Sequence, residues 1–103
     1  MRTITVDGIK IKIDDELLNS MRFTMTAAKA NKSLPKDTDS DEYVQVAEER
    51  GNAFLKMVEM LFCADDIDRI NDELDAKSEH KYATNQEFGL FVDKVIEKAN
   101  LKK

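Results

Sequence analysis

One acidic segment carries the pattern closest to a metal-binding motif. Asp37, Asp39 and Asp41 alternate along the chain and Glu48 follows at the twelfth position, which is the ligand spacing of an EF-hand calcium loop. The sixth position, where that loop needs glycine for a sharp turn, is Glu42. We therefore favour an acidic linker that leads into a helix N-terminus, where carboxylates are stabilised in any case. A small regulatory calcium-binding module that uses these four carboxylates is the alternative.

The single histidine and the single cysteine are weak candidates for catalysis. His80 stands in a polar stretch without a cysteine or a second histidine nearby, so it lacks partners that would orient a general base or a metal ligand. Cys63 precedes Asp65 and Asp66, whose negative charges disfavour a thiolate. We predict a solvated loop histidine and a cysteine that is packed as a small buried hydrophobe.

Adjacent carboxylates could carry out proton transfer if one of them were buried with a raised pKa. Each pair here stands at a predicted helix start or among polar neighbours, so capping and solubility are the expected roles. The chain also lacks a glycine-rich phosphate loop and the G-x-S-x-G, H-E-x-x-H and C-x-x-C motifs. We therefore expect no enzymatic activity, no cofactor and no bound metal. The pairs are Asp14/Asp15, Glu48/Glu49, Asp65/Asp66 and Asp72/Glu73.

Composition narrows the class of protein. The chain has 103 residues, a net charge of −5 and 42% hydrophobic residues, which fits one domain spanning residues 1–103. The acidic balance argues against a nucleic-acid partner. One cysteine allows no internal disulfide, which fits a reducing compartment. No apolar run approaches the ~18 residues of a membrane span, so we expect no membrane association.

The elements that would position these side chains begin with a β-hairpin. Arg2–Val6 and Ile9–Ile13 alternate in character with a period of two, and an Asp-Gly pair joins them. Asp-Gly suits a two-residue turn because both positions need positive φ. The isoleucine face must pack on other elements, and the free strand edges could pair with a second copy in a homo-oligomer. The expected register sets Val6 opposite Ile9 and Ile4 opposite Ile11.

A first helix is predicted from about Asp15 to Asn31. Its apolar stripe would face the core, and Phe23 would project about 200° away from that stripe. Residues 32–40 form the only linker and contain the sole proline, Pro35, which disfavours helix at Leu34. The stripe consists of Leu17, Leu18, Met21, Met25 and Ala28.

Three further helices follow the linker. The second, capped by Asp39 or Ser40, has an apolar arc of roughly 180° or more, wider than the ~100° that one core contact needs. A short third helix would be capped by Asp65 and would end near Leu74. The last would open at a capping box formed by Thr84 and Glu87. The central stripe of the second helix is Tyr43, Ala47, Phe54, Val58 and Leu61.

The predicted fold class is therefore α+β and mainly helical, with an N-terminal hairpin and about four helices around one core. Some apolar residues are hard to place in one small core by helical spacing. We predict these as contacts for a partner protein: Phe23, Leu55, Met60 and Leu90. Three of the methionines, Met21, Met25 and Met57, are predicted to be core residues instead.

The order of these elements is familiar from one protein family. A β segment at 9–13 leads into the helix that begins at 14–18, and a mid-chain helix at 54–62 continues through a break into 65–70. A last helix at 87–96 ends near a lysine-tipped tail, Lys102-Lys103. This pattern resembles the small tail assembly chaperones that long-tailed phages and prophages of Gram-positive bacteria encode.

The resemblance implies a binding protein without catalytic residues. Its implied partners are the long helical tape-measure protein and the tail-tube subunits, and its implied location is the cytoplasm of the bacterial host. An acidic coat with surplus apolar helical surface suits such a role, because a holding chaperone must stay soluble while it binds aggregation-prone helices. An acidic mimic of nucleic acid is a third hypothesis, disfavoured because the charge is dispersed along the chain.

Overall fold

A computed structural model describes residues 1–101 of the chain. An antiparallel hairpin is followed, in this range, by five helices, which confirms the mainly helical α+β class. The predicted tail Lys102-Lys103 lies outside the described residues. The elements are β1 (Arg2–Val6), β2 (Ile9–Ile13), α1 (Asp15–Leu18), α2 (Met21–Ala30), α3 (Asp41–Leu61), α4 (Ala64–Lys77) and α5 (Asn85–Leu101).

The chain divides into two compact units. The first, called the hairpin unit here, joins Met1–Asp15 to the segment that begins at Phe62. The second, called the helical unit, is Glu16–Leu61. Each unit is built around its own packed elements: β1 with α5 and β2 with α4 in the first, and α2 with α3 in the second.

The hairpin has the predicted register. Val6 pairs with Ile9 and Ile4 with Ile11, as the two-residue turn requires. Asp7 and Gly8 both have positive φ, 52° and 82°, which is the conformation that Asp-Gly sequences favour in such turns. The face formed by alternate residues is buried, and the threonines and lysines of the other face are exposed. The buried face consists of Ile4, Val6, Ile9, Ile11 and Ile13.

Side chains from α4 and α5 reach the free edges of the hairpin. Lys98 donates to the carbonyl of Thr5 on β1, and Arg69 donates to the carbonyl of Lys10 on β2. At the turn, the Nζ of Lys77 lies 2.6 Å from the carbonyl oxygen of Asp7. Because these cations occupy edge carbonyls, part of the edge that could accept another strand is already satisfied within the chain.

The hairpin unit is closed by a second set of contacts near the chain's start. Arg2 donates to both carboxylate oxygens of Asp15, at 2.8 and 3.2 Å through Nε, and to the carbonyl of Ala99 near the end of α5. The hydrogen bond to Asp15 raises the pKa of the guanidinium group, opposed in part by desolvation. The core beneath the hairpin contains residues with no exposed surface, among them Ile70, Val92 and Val95.

The predicted first helix is split in the helical unit. Helix α1 ends at Leu18, and Ser20 caps a new helix, α2, by accepting the Phe23 backbone N–H at 3.1 Å. The break changes which residues face inward. Phe23, Thr26 and Ala30 form the buried side of α2, so the predicted core stripe is wrong over this helix.

The second predicted helix corresponds to α3. Ser40 caps it by accepting the Tyr43 backbone N–H at 3.1 Å, as one of the two predicted caps. The buried side, which includes the contact with α2, is rotated relative to the predicted stripe, and Tyr43, Ala47 and Phe54 of that stripe are only partly buried. Buried residues of α3 are Val46, Ala53, Met57, Val58 and Leu61.

The N-terminus of α4 differs from the prediction, whereas that of α5 agrees with it. For α4 the cap residue is Cys63, with no side-chain hydrogen bond, and not Asp65 as predicted. For α5 the capping box is confirmed. The Glu87 N–H donates to Thr84 Oγ1 at 3.1 Å, and the Thr84 N–H donates back to Glu87 Oε1 at 3.2 Å.

The Glu87 carboxylate makes the capping box sensitive to acid. Ser78 donates its hydroxyl to this carboxylate at 2.8 Å, and this bond together with the Thr84 N–H lowers the pKa of Glu87 below its ordinary value of 4.5. A carboxylate with a lowered pKa stabilises the fold above its ordinary pKa. That contribution is lost as the pH falls through the lowered value.

Replacing Glu87 by glutamine should therefore reduce stability at pH 7. The loss should shrink as the pH is lowered from about 4.5, because protonation then removes the same charge from the wild-type chain. Urea unfolding followed by circular dichroism between pH 3 and pH 7 measures the difference. Glu97→Gln, which removes a charge from an exposed site on the same helix, controls for net charge. A Glu87→Gln difference that is constant with pH would contradict the assignment.

Candidate partner-binding surfaces

The acidic segment does not form a coordination shell. Helix α3 begins at Asp41, so the later positions of the EF-hand-like spacing are helical rather than wrapped around a point. Asp37 uses its Oδ1 to accept the Asp39 backbone N–H at 3.0 Å, which is a local turn. Among the described residues, no three or more His, Cys, Asp or Glu side chains are grouped so that they could hold a metal ion.

The two lone candidates for catalysis lie on the surface. His80 is exposed in the loop before α5, as predicted, and its backbone N–H donates to Ser78 Oγ at 3.1 Å. Cys63 is exposed, so the prediction of a buried cysteine is wrong. The physical reason is its place at the N-cap of α4, where the extended backbone (φ −75°, ψ 162°) turns the side chain out of the helix.

One predicted surface carboxylate is buried instead. Asp66 is 6% exposed, and its Oδ2 accepts the Lys12 backbone N–H at 3.2 Å. Its Oδ1 accepts a hydrogen bond from Arg69 at 2.7 Å. A shallow, open groove of about 320 Å³ runs beside these groups between β2 and the start of α4. Because the carboxylate and the guanidinium bind each other and the edge of β2, the groove contains a structural ion pair that joins α4 to the hairpin.

The four predicted partner contacts have different environments. Phe23 is 5% exposed and belongs to the buried side of α2, so almost none of its side chain can contact a partner. Met60 is half-buried near the end of α3. Leu55 on α3 and Leu90 on α5 are 61% and 55% exposed. The structure therefore leaves two of the four side chains open to solvent.

Sequence reasoning missed other exposed apolar residues. Met21 and Met25 on α2, predicted to be core, are 70% and 55% exposed, whereas Met57 is buried as predicted. Val44 on α3 is also exposed. The available signal was the Asn-Ser pair at 19–20, because a serine followed by a helical run is a typical helix start. A helix restarted at Ser20 has Phe23 on its inner side, and the two methionines follow on the outside.

The outer surfaces of α2 and α3 therefore carry large apolar side chains without a covering element in residues 1–101. Such side chains, set at helical spacing, can pack against another helix. Within the same residues, no helix combines the length and the apolar character that crossing a bilayer requires. No protein-family model, curated protein or solved structure matches this chain.

Proposed function

We propose that this chain is a non-enzymatic tail assembly chaperone of a long-tailed phage or prophage. It binds the helical tape-measure protein, and tail-tube subunits as further partners, in the cytoplasm of the bacterial host until the tail tube polymerises. The proposal starts from the family resemblance of the element order, β-hairpin, mid-chain helix, break and last helix. No cofactor or metal takes part in this function.

The observation that carries the proposal is the exposure of Leu55 and Leu90. Each is more than half exposed on one of the two longest helices, α3 and α5. Fully burying an exposed leucine side chain contributes roughly 1.5–3 kcal/mol, and covering one that is already partly buried contributes about half of that, so each is a natural contact for an apolar client helix. Both are among the residues that the sequence predicts as partner contacts.

The charge of the chain fits the same role. A net charge of −5 favours solubility while apolar side chains stay exposed. Each contact is small, so affinity for one client segment would be modest. A tape-measure protein is long and offers many segments, and many copies held along it would act through avidity.

Co-expression with a tape-measure fragment from the same genome tests the function. The wild-type chain should keep the fragment soluble and co-purify with it. The double variant Leu55→Asp/Leu90→Asp should bind the fragment about tenfold more weakly or worse, because a carboxylate replaces an apolar contact on both helices. The soluble fraction and the co-purified fraction are the measurements.

A charge-matched control separates contact from net charge. Asn52→Asp/Gln86→Glu adds the same two negative charges at exposed positions of α3 and α5. This control should retain wild-type binding. If the fragment is equally insoluble with and without the wild-type chain, or if both double variants behave alike, the proposed function is wrong.

A further inference from the structure

The register of the hairpin decides which backbone groups point to its two free edges. In an antiparallel pair, residues that exchange both backbone hydrogen bonds alternate with residues whose N–H and C=O groups point outward. The two-residue turn makes Val6 and Ile9 an exchanging pair. The pair two positions further from the turn, Ile4 and Ile11, exchanges its hydrogen bonds as well. The residues with outward groups are Thr3 and Thr5 on β1 and Lys10 and Lys12 on β2.

Two side chains of α4 cap the edge of β2. The C=O of Lys10 and the N–H of Lys12 point outward on either side of Ile11. Arg69 donates to this carbonyl, and the Oδ2 of Asp66 accepts from this N–H at 3.2 Å. The guanidinium and the carboxylate also bind each other, at 2.7 Å. They take the places that the N–H and C=O of an added strand would take, so such a strand would have to break this ion pair first.

The edge of β1 is open at the equivalent position. The C=O of Thr3 and the N–H of Thr5 lie on either side of Ile4, the residue that pairs with Ile11. Within residues 1–101, neither of these groups has a hydrogen-bond partner, and the N–H of Thr3 has none either. The Thr5 carbonyl is occupied, because Lys98 donates to it. In the described chain, three backbone groups of this edge are therefore available to an added strand.

Cations surround the open edge. Lys98 reaches it from α5, and Lys94, one helical turn earlier, binds the carboxylate of Asp7 at 3.0 Å. Lys10 and Lys12 are on the exposed face of the adjacent strand, and in the described part of the chain neither forms an ion pair. The hairpin has three basic residues and one acidic residue, although the whole chain has a net charge of −5. The edge of β1 is thus a basic site on an acidic protein.

We propose that the edge of β1 is a docking site for an extended, acidic segment of another protein, which adds to the hairpin as a third strand. Backbone hydrogen bonds with Thr3 and Thr5 hold the segment, as in other cases of strand addition. Carboxylates at every second residue of the segment point to the exposed face, toward the side of Lys10 and Lys12. The occupant is extended, unlike the helical client of the proposed function, and it binds through backbone pairing rather than apolar contacts.

The chemistry of this edge disfavours two other occupants. A second copy of the chain would bring a β1 edge that is surrounded by the same lysines, so like charges would face each other across the new pair. Its β2 edge is capped in the same way. A single-stranded nucleic acid is held by aromatic side chains that stack on its bases. The exposed face of the two strands has threonines and lysines instead: Thr3, Thr5, Lys10 and Lys12.

A synthetic peptide of alternating valine and glutamate, added to the purified chain, tests the proposal. Fluorescence anisotropy should give a Kd on the order of 10–100 µM, as expected for a small interface, and added salt should weaken the binding. Amide hydrogen exchange, followed by nuclear magnetic resonance, should slow at Thr3 and Thr5. It should stay unchanged at Lys10, whose outward N–H lies on the capped edge. Methylating the backbone nitrogens of the peptide keeps its charge but removes its donors, and should weaken binding at least about tenfold.

Variants of the protein separate backbone pairing from charge. Thr5→Pro removes an outward N–H at an edge position, where proline is tolerated, and should weaken peptide binding about tenfold. Thr5→Val keeps this N–H and should bind as the wild-type chain does. Lys10→Glu/Lys12→Glu should also weaken binding about tenfold. Lys29→Glu/Lys56→Glu changes the net charge equally at exposed positions of α2 and α3, and should leave binding unchanged. If Thr5→Pro does not fold, the amide exchange and the lysine variants still decide.

Four results would overturn the proposal. The first is no binding of the peptide at about 1 mM. The second is binding without slower exchange at Thr3 and Thr5, which would mean charge attraction alone. The third is tighter binding of a single-stranded oligonucleotide than of the peptide. The fourth is slower exchange at these amides when only the protein concentration is raised, which would make a second copy the occupant. No tape-measure fragment is present, so the outcome is independent of the proposed function.

Discussion

Replacing Ile70 by alanine is expected to lower the free energy of unfolding by about 3 kcal/mol. Ile70 has no exposed surface, and its helix, α4, packs against β2 and α5. The substitution removes buried methyl and methylene groups and leaves a cavity that the surrounding side chains cannot fill without moving. Domains of this size are stable by roughly 5–15 kcal/mol, so this loss is a large share of the total.

A neighbouring isoleucine provides a matched control. Ile67 is one turn earlier on the same helix and is only half-buried. Ile67→Ala therefore removes the same atoms from a position that is more exposed to solvent. Its cost should be less than about half that of Ile70→Ala, since part of its surface is already hydrated. Urea unfolding of both variants, monitored by circular dichroism, gives the comparison. Equal costs, or an Ile70→Ala cost below about 1 kcal/mol, would place the core of the hairpin unit elsewhere.

The hairpin was predictable because its determinants are local. The period of two assigns the isoleucines to one face, and the Asp-Gly turn sets which residues pair. A shift of one residue would place the whole isoleucine set in water, so the register has one favourable solution. The capping box of α5 was predictable for the same reason, since Thr84 and Glu87 are three residues apart and need no distant partner.

The faces of α2 were not predictable from a continuous helical pattern. Seventeen residues from Asp15 to Asn31 have a plausible apolar stripe, and nothing in the spacing alone forces a break. The break depends on Ser20, whose side chain caps one helix while its hydroxyl also donates to the Leu17 carbonyl at 2.7 Å. Once the helix restarts, Phe23 is buried and the methionines become surface. Which residues of α2 are exposed therefore depends on the Ser20 cap.

The ion pair beside β2 was not predictable for a different reason. Asp65 and Asp66 are adjacent, and each is a reasonable residue for the first turn of a helix. Only the three-dimensional structure shows which of the two is buried. Asp66 accepts a hydrogen bond from the backbone N–H of Lys12, which is 54 residues away in the chain. Non-local contacts of this kind decide which of two similar carboxylates is buried, and local sequence contains no information about them.

Replacing Asp66 by alanine should cost about 2–3 kcal/mol of unfolding free energy. The variant leaves the Lys12 N–H at the edge of β2 without its acceptor, and a hydrogen bond to a charged group contributes roughly 1.5–3 kcal/mol. It also leaves Arg69 without its carboxylate. The Arg69 side chain is 50% exposed, so water can replace that partner, and this part of the cost should be small.

Two further substitutions separate the contributions of the hydrogen bond and the charge at this site. Asp66→Asn keeps an oxygen that can accept the Lys12 N–H but removes the negative charge, so it should cost clearly less than Asp66→Ala. Asp68→Ala removes an exposed carboxylate two positions later on α4 and should change stability by less than about 0.5 kcal/mol. Urea unfolding at pH 7 gives all three values. If Asp66→Asn costs as much as Asp66→Ala, the stabilising interaction of Asp66 is its ion pair with Arg69 and not its hydrogen bond to the backbone of β2. The link between α4 and the hairpin would then be electrostatic.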